Sequence, residues 1–314
     1  MGRSLVTFAT GVLVAAAIVA CGGNKQPTPS ESLYGQATPT RSPSSTPTKS
    51  PSSTAAAPSA PPTATVAPHV FVLVMENTGL GRALRSQPVA RLASANALAT
   101  NYHAVARPSL PNYLALTSGS TWGITDNSYY SLPADDLGTQ LTSAGVTWRA
   151  YMEGMTEAAG CMRSPYPYAL KHNPFAYYGG ACPSNVVPIE ALDADLAGAT
   201  PSFVWITPGL CHDGHDCSLD VAGAWLDETV TRITSSNAWR SSGVLFVVWD
   251  EGDGGDNNLV PLIVLTKDAT AMRVETQYDH YSLLATIQDL YGLPRLGAAR
   301  TARPLAQLLP LATR

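Results

Sequence analysis

The run Val70-Phe71-Val72-Leu73-Val74-Met75 is followed at once by Glu76-Asn77. A second run, Val244-Leu245-Phe246-Val247-Val248-Trp249, is followed at once by Asp250-Glu251. Both are too continuously apolar for a strand with one wet face, and they read as strands buried on both faces. Val146 to Met152, Phe203 to Thr207 and Leu259 to Leu265 read the same way. Helix-like stretches lie between them: Ala83 to Ala99, Pro111 to Leu116, Asp136 to Ala144, Ala222 to Trp239 and Tyr281 to Tyr291. In the last, Leu283, Leu284, Ile287, Leu290 and Tyr291 share one face at helical spacing. The alternation predicts an α/β fold, a three-layer sandwich with a mostly parallel central sheet. Ligands of such folds bind beyond the carboxyl ends of the strands.

That rule directs attention to Glu76, Asn77, Asp250 and Glu251. Three carboxylates and a carboxamide at neighbouring strand ends would repel one another, and a divalent cation would relieve the repulsion. A pair of solvated acidic turns is the plainer reading of either pair alone. After Phe203 to Thr207 comes Cys211-His212-Asp213-Gly214-His215-Asp216-Cys217, which brings histidines to the same edge. Ser109, in Pro108-Ser109-Leu110-Pro111-Asn112-Tyr113, reads as the N-cap of a helix with Pro in its first turn. The same place offers backbone N–H groups and the positive end of a dipole to an incoming phosphate. A metal there would make Ser109 a nucleophile. Of the six histidines, His215 and His280 are the strongest candidates for metal or phosphate contacts. The G-x-S-x-G elbow, H-E-x-x-H and phosphate-binding P-loop patterns are all missing from the sequence.

Outside this core the chain is punctuated by processing and linker signals. Residues 1–21 carry Arg3, an apolar stretch and a small-residue run ending in Cys21, the form of a signal peptide with a lipobox. Cleavage before Cys21 and a lipid on its sulfur would anchor the protein to a membrane outside the cytoplasm, in the bacterial cell envelope. An ordinary signal peptide with an incidental cysteine is the alternative. Residues 22–68 are rich in Pro, Ser and Thr and hold 10 of the 25 prolines. They bury too little to offset ordering entropy and read as a disordered, extended tether. The folded domain is then expected to be 69–314. Charged residues are 13% and net charge is −4 with no basic block, which argues against a nucleic-acid partner. Four cysteines besides Cys21 favour two disulfides in an exported domain, and proximity favours Cys161–Cys182 and Cys211–Cys217. A zinc site is the alternative, although the chain has no C-x-x-C pair.

Six motifs occur in order. They are Glu76-Asn77, Arg107-Pro108-Ser109-Leu110-Pro111-Asn112-Tyr113, Lys171-His172-Asn173-Pro174-Phe175, Asp213-Gly214-His215-Asp216, Trp249-Asp250-Glu251-Gly252-Asp253 and Tyr278-Asp279-His280-Tyr281. Together they resemble the bacterial phosphoesterase family of acid phosphatases and phospholipases C, which has the alkaline phosphatase-like fold. The resemblance implies a metal-dependent phosphoric ester hydrolase with Ser109 as nucleophile. It places Glu76, Asn77, Asp250, Glu251 and Asp213 at the metal, with its identity and number left open. It places His215 and His280 among the catalytic groups, and Asn77, Arg107, Asn112, Lys171 and His172 on the substrate side. Two positions depart from the family pattern: Arg107 stands where a histidine is common, and Leu259 where a basic residue precedes Val260-Pro261. The expected substrate is a phosphate monoester. A phospholipase C acting on phospholipid diesters is one alternative, and a non-catalytic, anion-binding surface lipoprotein is the other.

Overall fold

The computed structural model describes residues 68–268 and 270–309. The expected signal peptide with Cys21 and the expected tether, save Pro68, lie outside the described residues. In chain order the elements are β1 (His69–Met75), α1 (Leu80–Ala83), α2 (Gln87–Ala95), β2 (Ala97–Ala99), β3 (Tyr102–His103), α3 (Ser109–Ser118), α4 (Leu137–Ser143) and β4 (Trp148–Met152). Then follow β5 (Val186–Pro188), α5 (Ala191–Ala197), β6 (Phe203–Thr207), α6 (Leu219–Thr234), α7 (Asn237–Ser242), β7 (Gly243–Trp249), β8 (Leu262–Thr266), β9 (Met272–Val274), β10 (Tyr278–Asp279) and α8 (His280–Leu290).

Eight strands form one sheet in the order β5-β4-β6-β1-β7-β8-β2-β9, and β3 pairs with β10 in a small second sheet. The sheet is parallel except for β8, which runs antiparallel to both neighbours. β1 sits between β6 and β7, and every residue from Val70 to Met75 is buried. β6 and β7 are buried along their whole length. This is the expected consequence of helices on both faces. The helices sort into two packing groups, α2 with α5, α6 and α7, and α3 with α4 and α8. The three-layer, mostly parallel α/β architecture read from the sequence is the one observed.

Two expected helices are divided. Ala83 to Ala99 contains α2, which ends at Ala95, and then β2, whose Ala97-Leu98-Ala99 pairs with both β8 and β9. Alanine favours helix locally, and sheet pairing overrides it here. Ala222 to Trp239 breaks into α6 and α7 because Ser236 accepts from the Trp239 N–H and starts a new helix. The short strands β3, β5, β9 and β10 carry too few residues to show periodicity. The two disulfides are Cys161–Cys182 and Cys211–Cys217, the expected pairs, closing separations of 21 and 6 residues. They belong to an oxidising, extracytoplasmic compartment. Among the described residues no helix is long and apolar enough to cross a membrane.

Candidate active site

Strand register brings the acids together. Met75 is the partner of Trp249, so Glu76 and Asp250 leave adjacent parallel strands at the same level. The Asp250 N–H donates to the Met75 carbonyl at 3.0 Å, and the Glu76 N–H to the Asp213 carbonyl at 2.9 Å. Asn77 then turns with φ 48°, a left-handed conformation that asparagine tolerates. The turn directs its N–H to Asp250 Oδ1 at 3.1 Å. The Asn77 side chain is half-buried and has no hydrogen bond among the described residues. Glu76, Asp213 and Asp250 are each 0% exposed and Glu251 is 5% exposed.

Ser109 is the first residue of α3, and Pro108 takes the N-cap position. The expectation that the Ser109 side chain caps the helix is therefore corrected. Its hydroxyl lies 3.2 Å from Glu76 Oε2 and 3.3 Å from Glu251 Oε1. One hydroxyl proton serves only one carboxylate at a time, so the second oxygen faces a lone pair. Asn112 anchors the approach to Ser109. Its Oδ1 accepts from the N–H groups of Val105 and Ala106, and its Nδ2 donates to the carbonyls of Ala106 and Pro108. Those four bonds exhaust the carboxamide, so in this arrangement Asn112 shapes the loop instead of reaching substrate.

His172 is buried between Glu76 and Asp213. Its Nε2 is 3.0 Å from Glu76 Oε1 and its Nδ1 is 3.3 Å from Asp213 Oδ2. These contacts lie off the N–H directions, and all four atoms lack a hydrogen bond among the described residues. The ring stacks on Tyr113 at 5.2 Å and 12°. Asp250 Oδ2 is orphaned as well. Orphaned buried polar atoms are rare in folded proteins, and here five of them lie on Glu76, His172, Asp213 and Asp250.

Burial drives the titration of this cluster. It raises Glu76 well above the usual carboxylate range, with Asp250 and Asp213 adding repulsion and Lys171 opposing. Asp213 is pushed up to about 8, by burial first, and Asp250 to about 7, by burial and then Glu251. Burial also raises Glu251, while Arg107 pulls it back. Burial drives His172 well below its ordinary range, helped by Lys171 and His215. Such a charge-poor, acid-rich pocket is held ready for positive charge.

Positive groups stand at the rim. Lys171 Nζ is 3.2 Å from His215 Nε2, and His215 Nδ1 is 2.6 Å from Asp216 Oδ1. An ammonium only donates, so His215 accepts at Nε2 and donates from Nδ1 to the carboxylate. Asp213 Oδ1 accepts the His215 backbone N–H at 2.7 Å, which ties this rim to the acid cluster. Arg107 donates from Nη1 to the Gly252 carbonyl at 2.5 Å and lies 3.4 Å from Glu251 Oε2.

His280 sits elsewhere. It starts α8, 0% exposed, behind Asp250. Its Nε2 is 2.6 Å from the Asp250 carbonyl and its Nδ1 is 2.9 Å from the Tyr102 hydroxyl. A carbonyl only accepts, so the proton is on Nε2 and the tyrosine donates to Nδ1. Both nitrogens are occupied, and the structure does not bring His280 to the Ser109 hydroxyl. His212 also turns aside, with Nδ1 2.8 Å from Glu153 Oε1 and its ring stacked on Trp225 at 5.8 Å.

Three contributors escaped the sequence reading. Tyr113, one helical turn after Ser109, is the platform for His172. Asn258 accepts the Gly252 N–H and donates to the Ala106 carbonyl, joining the loop after β7 to the loop before α3. Asn127 accepts the Leu110 N–H at 3.0 Å. Only the first lay inside a recognised motif.

The fold is of the alkaline phosphatase type. A protein in the alkaline phosphatase superfamily from Vibrio parahaemolyticus superposes with a TM-score of 0.54 at 11% identity, covering 77% of this chain and 71% of that one. A 2-O GAG sulfatase gives 0.54 at 13% identity, covering 77% and 74%. At such identity the likeness is one of fold. The sequence matches the Phosphoesterase family over residues 81–294, a span that starts just after Glu76-Asn77 and includes Ser109, Asp250 and His280. The chain is 30% identical over 248 residues to phosphatidylinositol-3-phosphatase of Mycobacterium tuberculosis, covering 76% of this chain and 82% of that protein. It is 28% identical over 242 residues to the phosphate-repressible acid phosphatase of Penicillium chrysogenum, covering 71% of this chain but only 58% of the fungal protein. The chain belongs to the Phosphoesterase family. Its enzyme class is phosphoric ester hydrolase.

Proposed function

We propose that the chain is a metal-dependent phosphomonoesterase in which Ser109 attacks phosphorus. The observation that carries this reading is the Ser109 hydroxyl set within 3.3 Å of both Glu76 and Glu251, among orphaned carboxylate oxygens, at the start of α3. The names of the two relatives above, both phosphatases, support the monoester class.

Among the described residues, no group of three His, Cys, Asp or Glu side chains already stands in a metal-holding arrangement. The donor chemistry nevertheless fits a divalent cation. Glu76 Oε1, Asp213 Oδ2 and Asp250 Oδ2 are buried oxygens without hydrogen bonds, and hard oxygen donors suit Mg²⁺, Ca²⁺ or Mn²⁺. Glu76, Asp250 and Glu251, with Asn77 and Asp213 beside them, would hold it. When bound, it would supply charge that favours the serine alkoxide and offsets charge developing on phosphorus.

The chain's own groups account for the rest. Glu76 or Glu251 accepts the hydroxyl proton as the Ser109 oxygen forms its bond to phosphorus. The ester oxygen leaves with its electron pair and takes a proton from the rim, where Lys171 and His215 are in contact. Water then cleaves the phosphoserine, returning phosphate and the free hydroxyl. Arg107 and Lys171 bind non-bridging oxygens, Asn112 fixes the loop that carries Ser109, and His280 positions Asp250 from behind.

The reading is tested with a panel of phosphomonoesters, phosphodiesters and phosphatidylinositol 3-phosphate, with and without divalent cations. Ser109→Ala and Asp250→Ala should each lose on the order of a thousandfold, and the double variant should be scarcely worse. Near wild-type hydrolysis by Ser109→Ala would overturn the nucleophile. We further infer that the mature chain starts at a lipid-modified Cys21 and carries a tether of 22–68 before a catalytic domain of 69–314. The tether could reach about 145 Å if fully extended as polyproline II. Intact-mass measurement of the mature protein checks this, and any other N-terminus refutes it.

A further inference from the structure

We propose that Glu153 is a positioning residue of the active site, whose carboxylate holds the loop after β6 so that Asp213 stands among the acids and His215 at the rim. The inference rests on the reading of Asp213 as a cation ligand.

The argument starts from where β4 stops. Its last residue, Met152, is the register partner of Thr207, the last residue of β6. The Glu153 N–H donates to the Thr207 carbonyl at 3.0 Å, which carries the pairing one residue further. Glu153 is thus a third acid set directly after a strand, like Glu76 after β1 and Asp250 after β7. Its carboxylate is used differently. Glu76 Oε1 and Asp250 Oδ2 are buried without a hydrogen bond, whereas both Glu153 oxygens are engaged by the protein. Oε2 accepts the Gly209 N–H at 2.7 Å, and Oε1 accepts from His212 Nδ1 at 2.8 Å.

The hold on Gly209 reaches the acid cluster through one residue. The Gly209 carbonyl accepts the N–H groups of His212 at 2.8 Å and Asp213 at 2.9 Å. The Asp213 carbonyl in turn accepts the Glu76 N–H at 2.9 Å, and Asp213 Oδ1 accepts the His215 N–H at 2.7 Å. Gly209 also lies close against Pro167. The Leu210 N–H donates to the Pro167 carbonyl at 2.9 Å, and a Cβ on Gly209 would come 2.9 Å from the Pro167 side chain. Glycine lets the backbone close on Pro167, and the Glu153 carboxylate then fixes the residue from which Asp213 hangs.

His212 completes the brace. Its ring stacks on Trp225 of α6 at 5.8 Å and 18°, so the loop is tied to β4 through Glu153 and to α6 through Trp225. The Cys211–Cys217 disulfide joins the ends of this loop to each other but not to the sheet. The Glu153 carboxylate supplies that second attachment.

Glu153→Ala removes both acceptors and leaves the buried Gly209 N–H unpaired. Glu153→Gln keeps both bonds, because its oxygen accepts from Gly209 and its nitrogen donates to Nδ1 of a neutral His212 ring. Asp195→Ala is the control: it takes the shared partner from Arg149 and Tyr151 of β4 without touching the loop. Mn²⁺ affinity is measured by calorimetry without substrate, and kcat/KM with a phosphomonoester, both well below each variant's unfolding midpoint. We expect Glu153→Ala to lose about ten- to a hundredfold in each. Glu153→Gln should keep most of both, and Asp195→Ala should lose stability alone. Wild-type Mn²⁺ affinity and kcat/KM in Glu153→Ala would overturn the proposal, and so would equal losses in Asp195→Ala. Asp213→Asn separates the proposal from the reading beneath it. If Asp213→Asn binds Mn²⁺ as wild type does while Glu153→Ala loses kcat/KM, the ligand assignment fails and the positioning role stands. If Asp213→Asn loses Mn²⁺ affinity while Glu153→Ala keeps it and its kcat/KM, the cation site stands and the positioning role fails.

Discussion

His280 tests whether a buried histidine positions the site or touches substrate. Burial lowers its pKa from 6.5 to about 4, with the Asp250 carbonyl opposing the shift. The unfolded chain takes up a proton near pH 6.5, whereas the folded chain resists until about pH 4. Between these values the unfolded state binds more protons, so this group's contribution is complete above pH 6.5 and is lost as pH falls towards 4. The shift corresponds to about 3 kcal/mol. At pH 7.5, His280→Ala removes the partners of the Asp250 carbonyl and the Tyr102 hydroxyl and opens a buried void. We expect a loss of about 3–5 kcal/mol. His280→Gln, which can donate and accept without titrating, should lose less and retain kcat within about tenfold. Urea unfolding of wild type and His280→Gln at pH 7.5, 5.5 and 4.0 should show the gap between them closing by about 3 kcal/mol. A gap independent of pH would refute the reasoning. So would a His280→Gln enzyme of unchanged stability whose kcat falls about a thousandfold, since that places the ring on substrate.

Two further outcomes follow from the same geometry. Asp250 and Asp213 have folded pKa values raised to about 7 and about 8, so in chelated protein they weaken the fold as pH rises from about 4 to 8. Thermal unfolding across that range should show the fall with chelator and its removal by a saturating divalent cation; a chelated protein with flat stability counts against the cation site. Replacing Cys211 and Cys217 with serine should cost only about 2 kcal/mol of stability, because the closed loop is short. The same change should cost far more in activity, because the loop carries Asp213 and His215; a paired loss of stability without loss of kcat/KM would contradict that.

The sequence by itself determined the sheet and the edge at which the chemistry sits. Continuous apolar runs such as Val70 to Met75 are stable only when covered on both faces, and that requirement implies a parallel sheet with helical layers. Acids placed directly after two such runs must then emerge at one edge, and strand register does bring Glu76 beside Asp250. Both disulfides were legible because four cysteines in two close pairs leave little ambiguity. Side-chain direction was not legible. His280, Asn112 and His215 belong to equally distinctive motifs, yet His280 faces the back of Asp250, Asn112 spends its amide on its own loop, and His215 meets Lys171. Asn127 stands 17 residues beyond Leu110 in an exposed loop with no motif of its own. Local sequence sets which residues reach an edge, because strand and helix periodicities are short-range. Which atom meets which depends on contacts between segments distant in the chain, and only the folded packing fixes those.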